Sequence, residues 1–528
     1  MPAFIQEPCD ASVIRSAPAA APCSKSSGPW VLAATTLASS MAFIDGTVVN
    51  VALPALQASL NATIIDVQWV IEAYSLLLAA FLLVGGSLGD HYGRRRVFLI
   101  GVALFAFASA WCGFASSIGQ LIAARAAQGF GAALLVPGSL AIISSSFAEN
   151  ERGRAIGTWS GFSAITTAIG PAMGGWLIEH LSWRAVFFIN IPLAVLVILI
   201  SLRRVPESSD EESVGVDWWG AILGALGLSA LVYALIESSR LGFTDRSVLV
   251  AFIVAVALLV AFLIFEARVR NPMLPLALFR SRTFTGANLL TFLLYGALGG
   301  TLFFLPLNLI QVQHYSATAA GAALIPFILI IFLLSRWAGG LVEKYGPKIP
   351  LVAGPLIAAV GFVFFMLPGV GGSYWRNFFP AIVILGTGMA VSVAPLTTTV
   401  MNSVAQNRVG IASGVNNAVA RGAGLLAIAV LGIVMLHAFN HALDQRLSDW
   451  KMPSSSWQSL ETQRSRLAAI ALPEELDAST QQMIGRAIAE SFVRAFRFVM
   501  ATGATPAVAS AIVALVFIGR VARQVKST

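Results

Sequence analysis

The chain has 528 residues, 57% of them hydrophobic and only 11% charged, with a formal net charge of +8; soluble domains carry about a quarter charged residues, so this is a polytopic membrane protein. Its surplus arginines lie in short clusters between apolar runs, the positive-inside pattern of membrane proteins, which excludes nucleic acid as a partner. Cys9, Cys23 and Cys112 are too few and too scattered for a disulfide framework or a zinc site.

The first 29 residues are rich in Ala, Pro and Ser, contain Glu7 and Asp10 and lack an apolar h-region, so a disordered cytoplasmic tail is expected rather than a cleaved signal. Apolar runs of about 18 to 25 residues mark membrane spans. Six lie near 30–54, 67–88, 97–117, 120–146, 154–178 and 184–202, giving an N-terminal half over 30–202. A segment over 203–283 follows, with a polar linker that holds Asp210, Glu211 and Glu212, then spans near 217–236 and 247–266. Six more, near 284–311, 318–340, 349–368, 378–402, 410–436 and 495–518, make a C-terminal half over 284–521, before a short tail, 522–528. The expected fold is all-α, with fourteen transmembrane helices arranged as two six-helix halves and two inserted helices.

With the N-terminus inside, the inner segments carry nineteen Lys and Arg, and the short outer loops carry four, Arg184, Arg240, Arg246 and Arg376. Both termini are therefore expected in the cytoplasm of a cell-membrane protein. The long outer loop 437–494 ends with Ile484, Ile488, Phe492 and Phe496, a four-residue period that reads as an amphipathic helix on the membrane surface or a cover leading into span 14. His437 and His441 are four apart without an acid between them, so no metal site is expected.

Between spans 2 and 3 stands Gly86-Ser-Leu-Gly-Asp-His-Tyr-Gly-Arg-Arg-Arg96, read as a tight cytoplasmic loop in which Gly89 and Gly93 permit positive φ and Arg94, Arg95 and Arg96 fix the side. Gly339-Gly-Leu-Val-Glu-Lys-Tyr-Gly-Pro-Lys348 repeats it, aligning Gly339, Leu341, Glu343, Tyr345 and Gly346 with Gly86, Leu88, Asp90, Tyr92 and Gly93 at an offset of 253 residues. Spans 9 to 14 thus repeat spans 1 to 6. Such repeats, with a site between them near the midplane, are the architecture of secondary transporters.

A charge in hydrocarbon costs several kcal/mol unless it faces a cavity or a partner. At 1.5 Å per residue, Asp45 lies roughly 12 Å from the outer end of span 1, Glu72 about 8 Å into span 2 and Arg125 about 8 Å into span 4. That common layer is either a structural cluster or a proton and substrate site. An acid that gains or loses an arginine partner between two conformations gains or loses a proton, which makes Asp45 and Arg125 the expected coupling pair. Glu72, with Trp69 and Tyr74 beside it, offers a carboxylate and aromatic faces to a flat organic cation. Arg421 has Asn416 and Asn417 to satisfy it, Arg336 is placed to snorkel, and Asp217, Glu237 and Glu266 read as interfacial. Span 5 carries Gly161, Gly170, Pro171, Gly174 and Gly175, a close-packing face or a hinge.

Five stretches now stand together: Asp45-Gly-Thr-Val-Val-Asn-Val-Ala-Leu-Pro54, Gln68-Trp-Val-Ile-Glu-Ala-Tyr74, the segment from Gly86 to Arg96, Arg125-Ala-Ala-Gln-Gly129, and Gly170-Pro-Ala-Met-Gly-Gly175. On these, from about Trp30 to Val521, the chain resembles the major facilitator superfamily and in particular its fourteen-span drug:proton antiporter branch of the EmrB/QacA type. The resemblance implies that Arg125 serves proton coupling, that Gly170 and Pro171, in one motif with Gly174 and Gly175, serve antiport, and that Asp90, beside Gly93 and Arg94, is a conformational latch that Glu343 repeats. It also implies that Glu72 recognises cationic drugs. His91 and Thr166 depart from the family's usual basic residue and glycine. The implied activity is proton-coupled efflux of amphiphilic or cationic organic compounds, with protons, a small organic substrate and the lipid bilayer as partners, no cofactor and no enzymatic activity. Uptake by proton symport, a dedicated exporter of one metabolite and a non-transporting sensor are the alternatives. No Gly-x-x-x-x-Gly-Lys-Ser/Thr loop occurs, which speaks against an ATP-driven pump. A monomer is expected, and accessory efflux proteins are left open.

Overall fold

A computed structural model of the chain describes residues 27–147, 149–209, 217–270, 272–404, 409–448, 454–472 and 477–519. Among these residues there is no strand. The long helices are α1 (Gly28–Leu60), α2 (Ile64–Tyr92), α3 (Arg94–Phe114), α4 (Ile118–Ser146), α5 (Glu149–His180), α6 (Asn190–Arg204), α7 (Trp218–Leu241), α8 (Arg246–Arg268), α9 (Arg282–Leu307), α10 (Ile325–Tyr345), α11 (Lys348–Phe364), α12 (Phe379–Asn402), α13 (Val409–Leu447) and α14 (Ala478–Phe517). Asp210, Glu211, Glu212, residues 1–26 and the tail 522–528 lie outside the described residues.

Twelve stretches among the described residues are long and apolar enough to cross a membrane. The expected spans missing from that set are α5, whose apolar content is diluted by Gly, Ser and Thr, and α11, only 17 residues long.

Local chemistry sets the helix ends. α1 stops where Asn61 turns left-handed at φ 57°. Thr63 and Asp66 then start α2 as a reciprocal cap: the Thr63 N–H and hydroxyl donate to Asp66 Oδ2 at 2.8 and 2.7 Å, and Asp66 N–H donates to Thr63 Oγ1 at 3.2 Å. Ser117 caps α4, Ser281 caps α9 and Asp477 caps α14.

The chain forms two compact units. Unit one takes in residues 27–55, 69–231 and 253–275, and unit two takes in 56–68, 232–252 and 276–519. The inserted helices α7 and α8 are each divided between them. Inside unit one, α3 and α4 cross where Gly101 meets Gly131, and a Cβ built on Gly131 would lie 3.1 Å from the Gly101 carbonyl oxygen. Inside unit two, α11 and α12 cross where Gly354 meets Gly388, with the corresponding approach at 2.8 Å. Gly354 stands 253 residues after Gly101, the offset of the loop repeat, so the sequence repeat is also a packing repeat.

Two expectations change. The segment from Gly86 to Arg96 is not a loop: α2 continues helical through Gly89 to Tyr92, and α3 begins at Arg94. Only Gly93 breaks the helix, with φ 105°, and its repeat partner Gly346 does the same between α10 and α11 with φ 76°. Of the two readings of the segment near residue 484, the separate helix on the membrane surface is not found among the described residues, and the continuous run into span 14 fits the cover. Ile484, Ile488, Phe492 and Phe496 belong to the first half of the 40-residue α14 and are buried against unit two. At 1.5 Å per residue such a helix is about 60 Å long, twice the hydrocarbon thickness of about 30 Å.

Candidate functional site

The site in unit one is built on the crossing of α2 and α4. A Cβ on Gly129 would run into the Tyr74 carbonyl group, its carbon 2.9 Å away, so the two backbones touch there. Arg125 precedes Gly129 by one helical turn, and Gln128 follows Arg125 by three positions, so the two side chains neighbour each other beside the crossing. The crossing therefore drives both side chains into the gap that faces Asp45 of α1.

There they form a buried polar network. Arg125 is the largest fully buried side chain among the described residues. Its Nη1 donates to Asp45 Oδ2 in an ion pair and to Gln128 Oε1 at 2.6 Å, and its Nε donates to the Val70 carbonyl at 3.1 Å. Gln128 Nε2 donates to Asp45 Oδ1 at 2.9 Å and to Ser109 Oγ at 3.2 Å. Asn190 Nδ2 donates to Ser109 Oγ at 2.9 Å and reaches Asp45 Oδ1 at 3.5 Å. The Ser109 hydroxyl in turn donates to the Phe187 carbonyl at 2.8 Å. The Arg125 guanidinium lies 4.2 Å from the centroid of the Tyr74 ring, a cation–π contact. Five helices, α1 to α4 and α6, thus converge on one carboxylate.

The expected pairing of Asp45 with Arg125 is present, but Glu72 is not part of it. Glu72 is fully buried, and neither carboxylate oxygen has a hydrogen-bond partner among the described residues. Tyr74 is engaged by Arg125 and buried, its hydroxyl donating to the Ala42 carbonyl at 3.3 Å, while Trp69 is half-buried. The layer expected to hold two acids and a base therefore holds one satisfied pair and one solitary acid.

The Gly-Pro stretch packs on the turn of α1 that carries Asp45. A Cβ on Gly174 would meet Val48 Cγ1 at 2.6 Å, one on Gly170 would collide with Thr47, and Trp159 Nε1 donates to Ser39 Oγ at 3.0 Å. Pro171 and Gly175 are buried within the same continuous helix.

At the Gly93 break, Asp90 pairs with Arg94 at 2.7 Å. The Arg94 N–H donates to the Ser208 carbonyl at 2.8 Å, the Arg95 N–H to Glu207 Oε1 at 2.9 Å and Arg95 Nη1 to the Val205 carbonyl at 2.9 Å. The segment after α6 is thus clamped against the start of α3 at the Gly93 break. The side chain of Glu343, the repeat partner of Asp90, lies outside the described residues, as does that of Arg336.

Sequence reading did not select Gln128, Ser109, Asn190 or Glu207. Gln128 was open to discovery, because it follows Arg125 by one helical turn. Ser109 and Asn190 were not, because only tertiary packing brings a serine of α3 and the first residue of α6 to Asp45. His437 and His441 each bond within their own helix, and no cluster suited to a metal exists among the described residues.

A family model described as Major Facilitator Superfamily matches residues 35–428. The multidrug resistance protein Stp of Mycobacterium tuberculosis (strain CDC 1551 / Oshkosh) is 36% identical over 79% of this chain and 77% of its own length. The tetracenomycin C resistance and export protein of Streptomyces glaucescens is 32% identical over 80% of this chain and 79% of its own. The puromycin resistance protein of Streptomyces alboniger is 35% identical over 77% and 81%. Among solved structures, a bacterial homolog of the human lysosomal transporter Spinster, inward-facing and occupied, superposes with a TM-score of 0.64 over 93% of this chain and 97% of that one. At 17% identity it speaks for the fold alone.

Proposed function

This chain belongs to the Major Facilitator Superfamily, and we propose that it exports amphiphilic organic compounds, cationic ones among them, in exchange for protons by alternating access. It is a multi-pass membrane transporter and not an enzyme. The substrate class is carried over from relatives named for resistance to drugs and antibiotics.

The observation that supports coupling is the asymmetry between the two buried acids. Asp45 is held by donors from Arg125, Gln128 and Asn190, whereas Glu72 has no donor among the described residues. A buried carboxylate without a partner is stable only when a proton or a cationic ligand neutralises it. Proton and cation then compete for one site, and competition for a site that opens to alternate sides is exchange. Asp45 and Arg125 act as the second element. If the pair separates in the other conformation, the freed acid takes up a proton, and its release accompanies reunion with Arg125. Gly93, with Asp90 and Arg94, is the local joint that changes as the states interconvert, and both termini face the cytoplasm.

The test is dye or drug uptake into inverted membrane vesicles with and without an imposed proton gradient. Wild type should accumulate substrate only with the gradient. Arg125→Ala should bind substrate but lose gradient-driven accumulation, and Arg125→Lys should restore part of it, since an ammonium replaces the charge but not the planar fork. Full active transport by Arg125→Ala would remove Arg125 from coupling. A dedicated exporter of one compound is the second reading, favoured by the relative named for tetracenomycin C, and a panel of unrelated substrates separates the two.

A further inference from the structure

Beyond transport, unit two carries a basic cleft of about 830 Å³ between α13, α14 and the turn after α11. Arg486, Glu490, Arg494 and Arg497 follow one another along one face of α14, opposite the buried Ile484, Ile488, Phe492 and Phe496. Arg446 of α13 completes the wall. Glu490 serves two of the arginines, 2.9 Å from Arg486 and 3.4 Å from Arg446. Arg494 and Arg497 have no carboxylate within ion-pair distance among the described residues. Their partners are neutral: Arg494 Nη1 donates to Gln445 Oε1 at 2.8 Å, and Arg497 Nη2 to the Leu367 and Pro368 carbonyls at 3.2 and 3.0 Å. A guanidinium has five N–H donors, so both keep donors for another acceptor.

The depth of the cleft identifies the acceptor. From Arg497 to Phe517 α14 runs about 30 Å at 1.5 Å per residue, one hydrocarbon thickness, so Arg497 stands at the membrane boundary. Beside it, Leu367, Val370 and Phe498 are exposed apolar residues at the same level. Four arginines that share one acid, at the height of lipid headgroups and flanked by apolar surface, match an anion that carries an apolar tail.

We propose that this cleft binds the phosphate of an anionic phospholipid, with Arg494 and Arg497 as its principal donors and the acyl chains along Leu367 and Phe498. The assignment does not depend on what the protein transports. The full chain, purified in detergent, is titrated with phosphatidylglycerol or phosphatidylcholine and bound lipid is counted by native mass spectrometry. Wild type should retain phosphatidylglycerol in preference. Arg494→Gln/Arg497→Gln should weaken it by about thirtyfold, the expectation for two basic residues at an anionic lipid surface. Because Arg497 also holds the α11 terminus, Arg486→Gln/Arg494→Gln is the second variant, sparing those carbonyl bonds, and it should weaken binding in the same direction. Unchanged retention in both variants, or equal retention of the two lipids by wild type, overturns the proposal. So does displacement of the lipid by millimolar inorganic phosphate, which would make the cleft a site for free phosphate.

Discussion

Asp45 and Glu72 are two carboxylates in one half of one unit with opposite surroundings, and that contrast governs what substitution should do. Removing one member of a buried pair leaves an uncompensated charge, at a cost of about 3–5 kcal/mol, so Asp45→Asn and Arg125→Ala should each destabilise the protein. Glu72→Gln removes no hydrogen bond to any described residue, so the fold should tolerate it. Its effect should appear in substrate choice. Loss of a partly desolvated charge contact of about 1–2 kcal/mol weakens cationic substrates by about five- to thirtyfold and leaves matched neutral compounds unchanged. A transport panel at fixed pH with Glu72→Gln and Glu72→Asp makes the measurement. Equal losses for both classes would show that Glu72 does not select cations. At this scale the sequence disclosed the acids and the arginine, because charges in apolar runs are conspicuous. It did not disclose that Tyr74 belongs to Arg125, because that contact is made only by the packing of α2 on α4; residues 72 and 74, two apart on a helix, face different ways.

Helices and their breaks carry the next level. Gly93 has φ 105°, and a Cβ there would also press on the Glu207 carboxyl at 2.9 Å. Gly93→Ala should therefore loosen the clamp between the start of α3 and residues 205–208, while Asp90→Asn should remove only the pair with Arg94. If this joint sets the balance of states, Asp90→Asn slows turnover with substrate affinity nearly unchanged. A large loss of affinity at normal turnover would count against that role. The start of α14 gives a pH prediction. Hydrogen bonds from Ser479 and Thr480 hold the exposed Asp477 carboxyl down to about 2, from an ordinary value of 3.8. A depressed folded value stabilises above the unfolded one and is lost as pH falls, so the cap should be unaffected from pH 7 to 5 and fail only below about 4. Amide exchange across 478–482 should rise in Asp477→Ala at neutral pH, and wild type should show no such rise between pH 7 and 5. The period of Ile484 to Phe496 was legible as one apolar face. What the face packs against was not, because a four-residue period is the same for a helix on lipid and a helix on protein.

Over the whole molecule, the offset of 253 residues joins Gly93 to Gly346 and Gly101 to Gly354, so the repeat read from one loop extends to the helix crossing beyond it. The chemistry does not repeat. At the offset that joins Gly131 to Gly388, Arg125 corresponds to the buried Ile382. The scaffold is thus duplicated and the ion pair belongs to unit one.

The number of crossings is the expectation that composition alone leaves open, since α5 and α11 are not plainly apolar or long enough. Packing argues that both cross. α5 lies along α1 at Trp159, Gly170 and Gly174, so Gly170 and Gly174 face a helix, where small residues allow close approach, instead of lipid. α11 is tied to α14 at both ends: Lys348 Nζ donates to the Leu515 carbonyl at 2.6 Å, and Arg497 donates to the Leu367 and Pro368 carbonyls. Residues 497 and 515 of one helix are about 27 Å apart, close to a hydrocarbon thickness. A cysteine-free background carrying Ser182→Cys, Ser455→Cys or a reporter after Val521 tests this in intact cells with a membrane-impermeant maleimide. With fourteen crossings and an inner N-terminus, Ser182 follows five and Ser455 thirteen, so both are labelled from outside while the reporter stays inside. If α5 and α11 failed to cross, Ser182 would follow four and become protected, while Ser455 would follow eleven and remain labelled. Labelling at Ser182 therefore decides α5, and with Ser182 labelled Ser455 decides α11, since it would follow twelve crossings and be protected if α11 alone failed; protection at Ser182 would overturn the fourteen-span topology even with Ser455 exposed.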